Sequence, residues 1–449
     1  MNPNNYADRL WIEGISAEER ARLDRYGKAW AAYFGEMPDT IKVKPGQPDD
    51  NIKANFARVI VDAGVSYLFG QEPTFELDEG KERSAPEQYL DEVWRANHKM
   101  QLLQKVATNG AVCGHAYVKI VPPKPGQRFP RLINLSPEYV NVVCDPDDID
   151  EVWRYVIQYP ARGKNGERLV IRQTVERLAD ERWELTDEIS VNDGKWQTRQ
   201  SLIWPFRWSP IVDCQNRPSP NEYYGIADIE PDVLAMNRSI NFTLSNLQRI
   251  LRFHAHPKTW GKGFQAQELR VAVDETIVLP SPDASIQNLE MLSDLSSSIE
   301  YYRRLKEALH EISNIPEVAT GKLDSAGQLS GVALAILYTP ILQRTEQKRL
   351  TYGELLVELN RRLLDMAGFG EENVTEIHWP QILPGNEMEE RQVALIDKQL
   401  GVSPDTILQR LGYDPDLERE KAQTDSNNMA DALLGAFDRG DVGMDSRTV

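Results

Sequence analysis

The stretch of the sequence with the most suggestive chemistry is ATGKLDSAGQLSG at 319–331, which precedes a long apolar helical pattern. A Gly-Lys pair among small residues is typical of loops that wrap a nucleotide phosphate. That motif requires a glycine five positions before Gly321 and a serine or threonine after Lys322. Pro316 and Leu323 occupy those two positions. The loop is therefore not predicted to bind a nucleotide, and an ordinary flexible helix–helix loop is one alternative.

A second candidate for chemistry is the acidic run DPDDIDE at 145–151. Clustered carboxylates can hold two metal ions and support cleavage of nucleic acid. The run lies between two β-like segments, where Pro and Asp are ordinary turn formers. A turn is the favoured interpretation, and a metal-dependent nucleic-acid-processing enzyme that uses this cluster is the alternative function. His115 and His378 stand alone in β-like segments and are predicted to be packed rather than catalytic.

Charge and composition limit the class of protein. The chain has 449 residues, which favours two or more substructures, and its formal net charge is −18. A protein that binds DNA tightly usually has a basic surface patch. This chain is therefore expected either not to bind nucleic acid or to contact it without binding it tightly. Three cysteines without metal-ligand or paired spacing fit a reducing compartment. With no signal peptide and no run of about 18 apolar residues, a cytoplasmic, soluble protein is expected.

Periodicity gives a coarse secondary structure for the first half of the chain. Helices are predicted at 16–34, where Ser16-x-x-Glu19 forms a capping box, at 51–70, and twice within 85–110. From about 115 to 215 the pattern changes to period two, with turn-rich pieces between the runs. This part is predicted to form an antiparallel β meander.

The second half is dominated by long helices. Apolar residues at alternating steps of three and four predict a helix of nearly 28 residues from 225, about 42 Å long, with a second helix at 294–313. An insert of about 40 residues with one or two short strands separates them. A further helix at about 330–368 contains Pro340, which should kink it. The first long helix carries a packing stripe of Ile229, Val233, Ile240, Leu244, Leu247 and Leu251.

That stripe has a consequence for assembly. A helix pair of this length has too little core to cover so wide an apolar surface by itself. Packing of the helices against neighbouring subunits is therefore predicted, which favours a ring over a monomer.

Four segments carry a resemblance to a known family. They are NFARVIVDAGVSYLFGQEPTFEL, YYGIADIEPDVLAMNRSINFTLSNL, GQLSGVALAILYTPILQRTEQKRLTYGELLVELNRRLL and GVSPDTILQRLGYDPDLERE. Their order, from about residue 45 to 420, resembles the portal (head-to-tail connector) proteins of tailed double-stranded-DNA phages. Within the second segment, Gly225-Ile-Ala-Asp228 is similar to the family's Gly-x-[Ser/Ala]-Asp start of the first stem helix.

The resemblance implies an α+β portal fold with long stem helices, a kinked wing helix, an antiparallel β wing and a small α/β clip insert. The implied order is a wing at 1–224, stem helix one at 225–253, a clip at 254–292, stem helix two at 293–313, a tunnel loop at 314–330, the kinked wing helix with a return strand at 331–390, and a short crown with a mobile tail at 391–449.

The resemblance also implies function and partners. The chain would be a structural protein, not an enzyme, with neither cofactor nor metal. It would form a homo-oligomeric ring, usually of twelve subunits, at the capsid vertex of the virion, after assembly in the host cytoplasm. Double-stranded DNA would pass through the channel during packaging and ejection. The terminase large subunit, a head-completion (adaptor) protein, and the major capsid and scaffolding proteins would be its partners, without a membrane.

Residue roles follow from the same resemblance. The DNA-facing residues of the tunnel loop would be Lys322, Leu323, Asp324, Ser325 and Gln328, and its hinges would be Gly321, Gly327 and Gly331. Docking at the clip would involve Trp260, Lys262 and Phe264. An alternating aromatic and basic pattern can also bind single strands by stacking, and the same aromatics could simply pack the insert.

Overall fold

A computed structural model describes residues 16–77, 84–192, 194–255, 259–263, 282–288, 295–320, 331–382 and 387–410, together with residues 415, 418, 419 and 421. The chain divides into two compact units, residues 1–380 and residues 381–449. No helix in the described ranges is long and apolar enough to cross a membrane.

Four helices open the first unit. They are α1 (Ala17–Tyr33), α2 (Phe56–Phe69), α3 (Ala85–Ala96) and α4 (Lys99–Cys113), as the periodicity predicts. The predicted capping box at Ser16 is present. The Ser16 hydroxyl accepts a hydrogen bond from the backbone amide of Glu19, and the Glu19 carboxylate accepts one from the backbone amide of Ser16. The four helices contribute the aliphatic centre of the core, including the buried Leu23, Ile60 and Val106.

The predicted antiparallel meander is confirmed as a five-stranded sheet. It consists of β4 (Val140–Cys144), β5 (Val152–Arg162), β6 (Arg168–Arg177), β7 (Trp183–Val191) and β8 (Gln197–Ile203), paired in sequence order. Period-two alternation therefore identified this sheet correctly.

A second sheet differs from the simple meander that the sequence predicts. It has three antiparallel strands in the order β3–β2–β9, from β2 (His115–Val121), β3 (Arg131–Leu135) and β9 (Ile211–Gln215). The whole five-stranded sheet lies between β3 and β9 in sequence. A short pair, β1 (Thr74–Glu76) with β12 (Glu376–His378), joins the two ends of the unit.

The long helices of the second half are present with changed boundaries. They are α5 (Pro231–Ala255), α6 (Ser296–Ser313) and α7 (Gly331–Met366), and α7 contains Pro340. Between α5 and α6, β10 (Thr259–Lys262) pairs antiparallel with β11 (Ser285–Asn288), so short strands in the insert are confirmed. The second unit contains α8 (Glu387–Gln399) and α9 (Pro404–Arg410).

The start of the first long helix was predicted about six residues too early. Residues 225–230 are not helical, and Pro231 is the first residue of α5. Proline suits a first helical position, while the residue before it is driven out of the α region. In addition, Asn216 Nδ2 donates to the carbonyl of Ile226 at 3.0 Å, and Arg217 Nη2 donates to the carbonyl of Ala227 at 2.6 Å. These bonds hold residues 226 and 227 against the neighbouring loop, in a non-helical conformation.

Candidate functional site at the base of the 314–330 loop

The Asp228 carboxylate, at the entrance to α5, is the centre of a buried polar cluster. The residue is 1% exposed. Its Oδ1 lies 2.9 Å from Arg344 Nη2 and accepts from Asn216 Nδ2 at 2.9 Å, while Oδ2 lies 2.5 Å from Lys348 Nζ. Both cations lie on one face of α7, four residues apart, because of the helical period. We call Asp228, Asn216, Arg344 and Lys348 the Asp228 junction.

The junction has more positive than negative charge. Burial by itself raises the pKa of Asp228, but Arg344, Lys348 and the hydrogen bonds outweigh it and hold that pKa well below its usual range. Burial and the neighbouring Arg344 and Arg217 guanidinium groups lower the pKa of Lys348 to about 8, although Asp228 opposes the change. One carboxylate thus holds two cations in place without fully compensating them.

Close packing around the junction explains a glycine. A Cβ at Gly64 of α2 would lie 2.6 Å from Asp228 Oδ2 and 3.2 Å from Lys348 Nζ, so no larger residue fits without a shift. On the other side, Tyr352 Oη donates to Asn216 Oδ1 at 3.2 Å. The helices α2 and α7 and the α5 entrance therefore meet at one carboxylate.

The junction also reaches the start of the 314–330 loop. Arg344 Nη1 donates to the backbone carbonyl of Ser313, the last residue of α6, and Ser313 is fully buried. A cationic donor at a helix C-terminus pairs with carbonyls that have no intrahelical partner and interacts favourably with the helix dipole. Asp228 therefore positions the side chain of Arg344, which fixes the end of α6. Since Arg344 lies on α7, this one side chain connects the helix before the loop with the helix after it.

The first residues of the loop, 314–320, are held by contacts that do not involve the Asp228 junction. His310 Nδ1 lies 2.7 Å from the carbonyl oxygen of Ile315, and Lys306 forms an ion pair with Glu317. From α7, Tyr338 Oη donates to the carbonyl of Val318 at 3.3 Å. Residues 314–320 are thus held by both α6 and α7, and the next described residue is Gly331.

Most of the predicted loop residues cannot be placed. Lys322, Leu323, Asp324, Ser325, Gln328, Gly321 and Gly327 lie outside the described residues. Gly331, the predicted third hinge, is the first residue of α7. The DNA-facing and hinge roles of these residues stay predictions.

The packing stripe begins at Ile229, just before α5, and becomes more exposed toward the end of that helix. Ile229, Val233 and Ile240 are buried, Leu244 and Leu247 are half-buried, and Leu251 is 50% exposed. The first half of the stripe is thus covered within one chain, while its end is open.

In the insert, Trp260 and Lys262 occupy alternate positions of β10 and so share one face of that strand. Trp260 is 42% exposed. Phe264 lies outside the described residues. Docking at these residues stays a prediction.

The acidic run at 145–151 forms the predicted turn. The amide of Asp145 donates to the carbonyl of Glu151 at 2.8 Å, and the amide of Asp147 donates to the Asp145 carboxylate at 2.7 Å. In the part of the chain that the structure describes, no group of three or more His, Cys, Asp or Glu residues could hold a metal ion. The carboxylates stabilise the turn between β4 and β5.

The two isolated histidines have different outcomes. His115 is 1% exposed, and its Nε2 lies 2.8 Å from Asp213 Oδ2, so the packing prediction is confirmed. Asp213 also accepts from the Tyr155 and Tyr223 hydroxyls, each at 2.6 Å. The prediction for His378 was wrong, since its side chain is 46% exposed beside Glu76 in the β1–β12 pair.

Lys348 gives the junction a testable pH dependence. Its pKa is about 8 in the folded chain and 10.5 ordinarily, so between these values the unfolded chain holds a proton that the folded chain has lost. The free energy of unfolding of the wild type should therefore rise with pH across this window, by at most about 1.4 kcal/mol per pH unit for one group. Denaturant unfolding from pH 7 to 11 should show this rise relative to Lys348→Met.

Lys105→Met, at an exposed site on α4, should retain the wild-type profile. Parallel profiles for the wild type and Lys348→Met would contradict the assignment.

The sequence and the fold both match known proteins. The sequence matches the family described as phage portal protein, SPP1 Gp6-like, over residues 12–191 and 231–431. No curated protein matches the sequence. Among solved structures, a chain in the neck of an empty gene transfer agent particle, computed with C6 symmetry, is 13% identical, with a TM-score of 0.50 over 82% of this chain and 95% of that one.

A chain in the virion of a native gene transfer agent particle is also 13% identical, with a TM-score of 0.50 over 92% of this chain and 99% of that one. At such identities the two structures show likeness of fold alone. The family match extends over most of the sequence. Its first range includes the helices α1 to α4 and the strands β1 to β7, and its second range includes all the helices from α5 onward. The chain belongs to the SPP1 Gp6-like family of phage portal proteins.

Proposed function

We propose that this portal protein forms a closed ring at the capsid vertex, with the 314–330 loops of all subunits lining a channel for double-stranded DNA. As a portal protein it is a structural component of the virion and not an enzyme. The observation that carries the proposal is the fixed base of this loop. Asp228 and Arg344 hold the end of α6 against α7, and other side chains of α6 and α7 hold residues 314–320. The residues between these anchors are presented from a fixed base, as a channel-lining loop requires.

The surface of the long helices supports a subunit interface. A groove of about 570 Å³ lies between α5 and α6, and Phe242, Leu247 and Tyr301 are among its lining residues. Phe242 is 50% exposed and Tyr301 is 56% exposed. Large aromatic side chains left half open along a groove are typical of protein–protein contacts. In the proposed ring, the neighbouring subunit covers this groove.

The remaining parts take the roles that the family implies. The helices α5 and α6 form the stem, the β10–β11 region forms the clip, and the first 224 residues form the wing. The terminase motor and later a head-completion protein dock at the clip, and the capsid and scaffolding proteins surround the wing. The gene transfer agent chains of similar fold belong to a neck and a virion, which supports a position of this chain at the neck of a phage-like particle.

The acidic composition suits a channel. A duplex that must slide is best served by weak contacts repeated around a ring, because strong phosphate contacts would hold it in place. A net charge of −18 per chain favours repulsion of the DNA phosphates over tight binding.

Phe242→Asp tests the proposed interface. A charge in the groove between α5 and α6 should prevent ring closure, while the subunit stays folded because Phe242 is half exposed. Size-exclusion chromatography with light scattering should show wild-type rings and mutant monomers with the same circular dichroism spectrum. Val374→Asp, at a 61% exposed position outside the long helices, is the matched control and should form rings. Intact rings of Phe242→Asp would remove this groove from the interface.

A further inference from the structure

Arg22, on the helix α1, is a buried cation without an anionic partner among the described residues. It is 3% exposed, and its Nη2 donates to Asn141 Oδ1 at 2.8 Å and to the carbonyl of Val140 at 3.4 Å. Within the described ranges, its Nε and Nη1 have no hydrogen-bond partner and no carboxylate pairs with it. Burial of a charge is costly unless the charge is paired, so Arg22 has unused donors for a further group.

Two tyrosine rings lie against the Arg22 guanidinium. Its central carbon is 5.2 Å from the ring centroid of Tyr26 and 4.2 Å from that of Tyr224. Contacts between a cation and an aromatic ring stabilise the charge through the flat faces of both groups. The donors of a guanidinium lie in its plane, so these contacts leave Nε and Nη1 unused.

The Tyr26 hydroxyl is a second unused donor. Tyr26 lies one helical turn after Arg22 and is 5% exposed, and its Oη has no hydrogen-bond partner in the part of the chain that the structure describes. Burial raises the pKa of Tyr26, although Arg22 opposes the change, so the hydroxyl keeps its proton. Arg22 and Tyr26 therefore offer a positive charge and a neutral donor at neighbouring positions of one helix face.

Both side chains line a cavity of about 320 Å³, which we call the Arg22 cavity. Its walls also include the apolar side chains of Val112, Ile229 and Leu234. Sites for small ligands have volumes of about 300–1,000 Å³ and combine an apolar lining with a few polar groups that fix orientation. The cavity thus suits an apolar group with one polar end.

Four further charged residues line the cavity at exposed positions: Arg25, Lys28, Glu222 and Glu230. Two are basic and two are acidic, and water and salt screen charges at exposed positions. Of the described charged residues that line the cavity, Arg22 is the buried one. The charge that a ligand meets away from water is therefore positive.

We infer that the Arg22 cavity is a binding site for a carboxylate carried on an apolar group, with Arg22 supplying the charge and Tyr26 a further hydrogen bond. A planar guanidinium matches the geometry of a carboxylate. A phosphate or sulfate has oxygens on every side and would place some of them against the apolar walls without donors. The carboxylate comes from a free molecule or from an acidic side chain of a neighbouring subunit, and the chemistry of recognition is the same.

Calorimetric titration with benzoate tests the inference, with benzamide as a neutral ligand of the same shape. Isolated subunits should bind one benzoate each and bind benzamide at least about tenfold more weakly. Arg22→Gln should weaken benzoate binding by at least about tenfold, as expected for loss of hydrogen bonds to a charged group. Arg25→Gln makes the same change at the exposed rim and should change the affinity by less than about threefold. Circular dichroism should confirm that both variants are folded.

Tyr26→Phe is a second variant that keeps the ring and removes the hydroxyl alone. It should weaken benzoate binding by about threefold, the usual effect of one neutral hydrogen bond, and leave benzamide binding unchanged. Equal binding of the two ligands by wild-type subunits, binding of neither, or benzoate binding that survives Arg22→Gln would overturn the inference.

Titration of assembled rings identifies the source of the carboxylate. Benzoate binding to isolated subunits but not to rings would show that a neighbouring subunit fills the cavity with its own carboxylate. Binding to both would show that the cavity takes a free molecule. The site lies within one chain, so absence of rings would contradict the proposed function and leave this inference standing.

Discussion

Replacing Asp228 by Asn should lower the free energy of unfolding by about 3–5 kcal/mol, the usual effect of removing one partner of a buried ion pair. Arg344 and Lys348 are 5% and 2% exposed and would be left in the core without an anion. For a protein whose total stability is about 5–15 kcal/mol, this is a large fraction. Denaturant unfolding followed by circular dichroism measures the change.

Two further variants show whether the effect comes from burial of charge. Glu354→Gln removes the same charge from an exposed position of α7 and should change stability by less than about 0.5 kcal/mol. Adding Lys348→Met to Asp228→Asn removes one of the stranded cations and should recover part of the loss. An Asp228→Asn variant as stable as the wild type would refute the central role of this carboxylate.

Shortening the loop within residues 321–329, for example by deleting 323–328, should leave ring assembly intact and abolish most DNA packaging or retention. Assembly should persist because the loop anchors, from Arg344 to Ser313 and from Tyr338 to Val318, lie outside the deleted part. Packaging should fail because each subunit loses its contribution to the channel wall. The two readouts are ring formation by native mass spectrometry and DNA packaged into particles.

Lys322→Ala separates the charge of the loop from its length. If phosphate contacts matter, this variant should package DNA less well while keeping the loop complete, with a dependence on salt that differs from the wild type. Normal packaging by the shortened loop would refute its assignment to the channel. Loss of rings in the shortened variant would show that the anchors alone do not support assembly.

Elements with a strong local signal could be predicted from the sequence. The capping box at Ser16, the period-two strands of the five-stranded sheet and the apolar stripe of α5 are each encoded within a short window. The loop at 319–331 could be excluded as a nucleotide site because two required residue types are missing. Such conclusions need no knowledge of distant residues.

The Asp228 junction could not be predicted in this way. Its members, Asn216, Asp228, Arg344 and Lys348, are separated by up to 132 positions in sequence, and only folding brings them together. A partial signal existed in Arg344 and Lys348, basic residues four apart in α7, and in the Gly-x-Ala-Asp motif that precedes α5. The buried polar residues Asn237, Asn241 and Ser245 of α5, at i, i+4 and i+8, were equally compatible with a solvated helix face.

The start of α5 shows why a pattern can mislead at its ends. Ile226 and Ile229 continue the helical spacing, yet they belong to a non-helical segment, which Asn216 and Arg217 hold at residues 226 and 227. Hydrogen bonds to distant residues outweighed the local periodicity there. The proline at 231 was the local feature that identified the true first position.

Electron cryomicroscopy of the purified, assembled protein tests the central claim most directly. We predict a closed ring with a central channel, α5 and α6 arranged around it, and residues 321–330 of every subunit facing the channel. A protein that remains monomeric, or a ring with these residues on its outer surface, would contradict it.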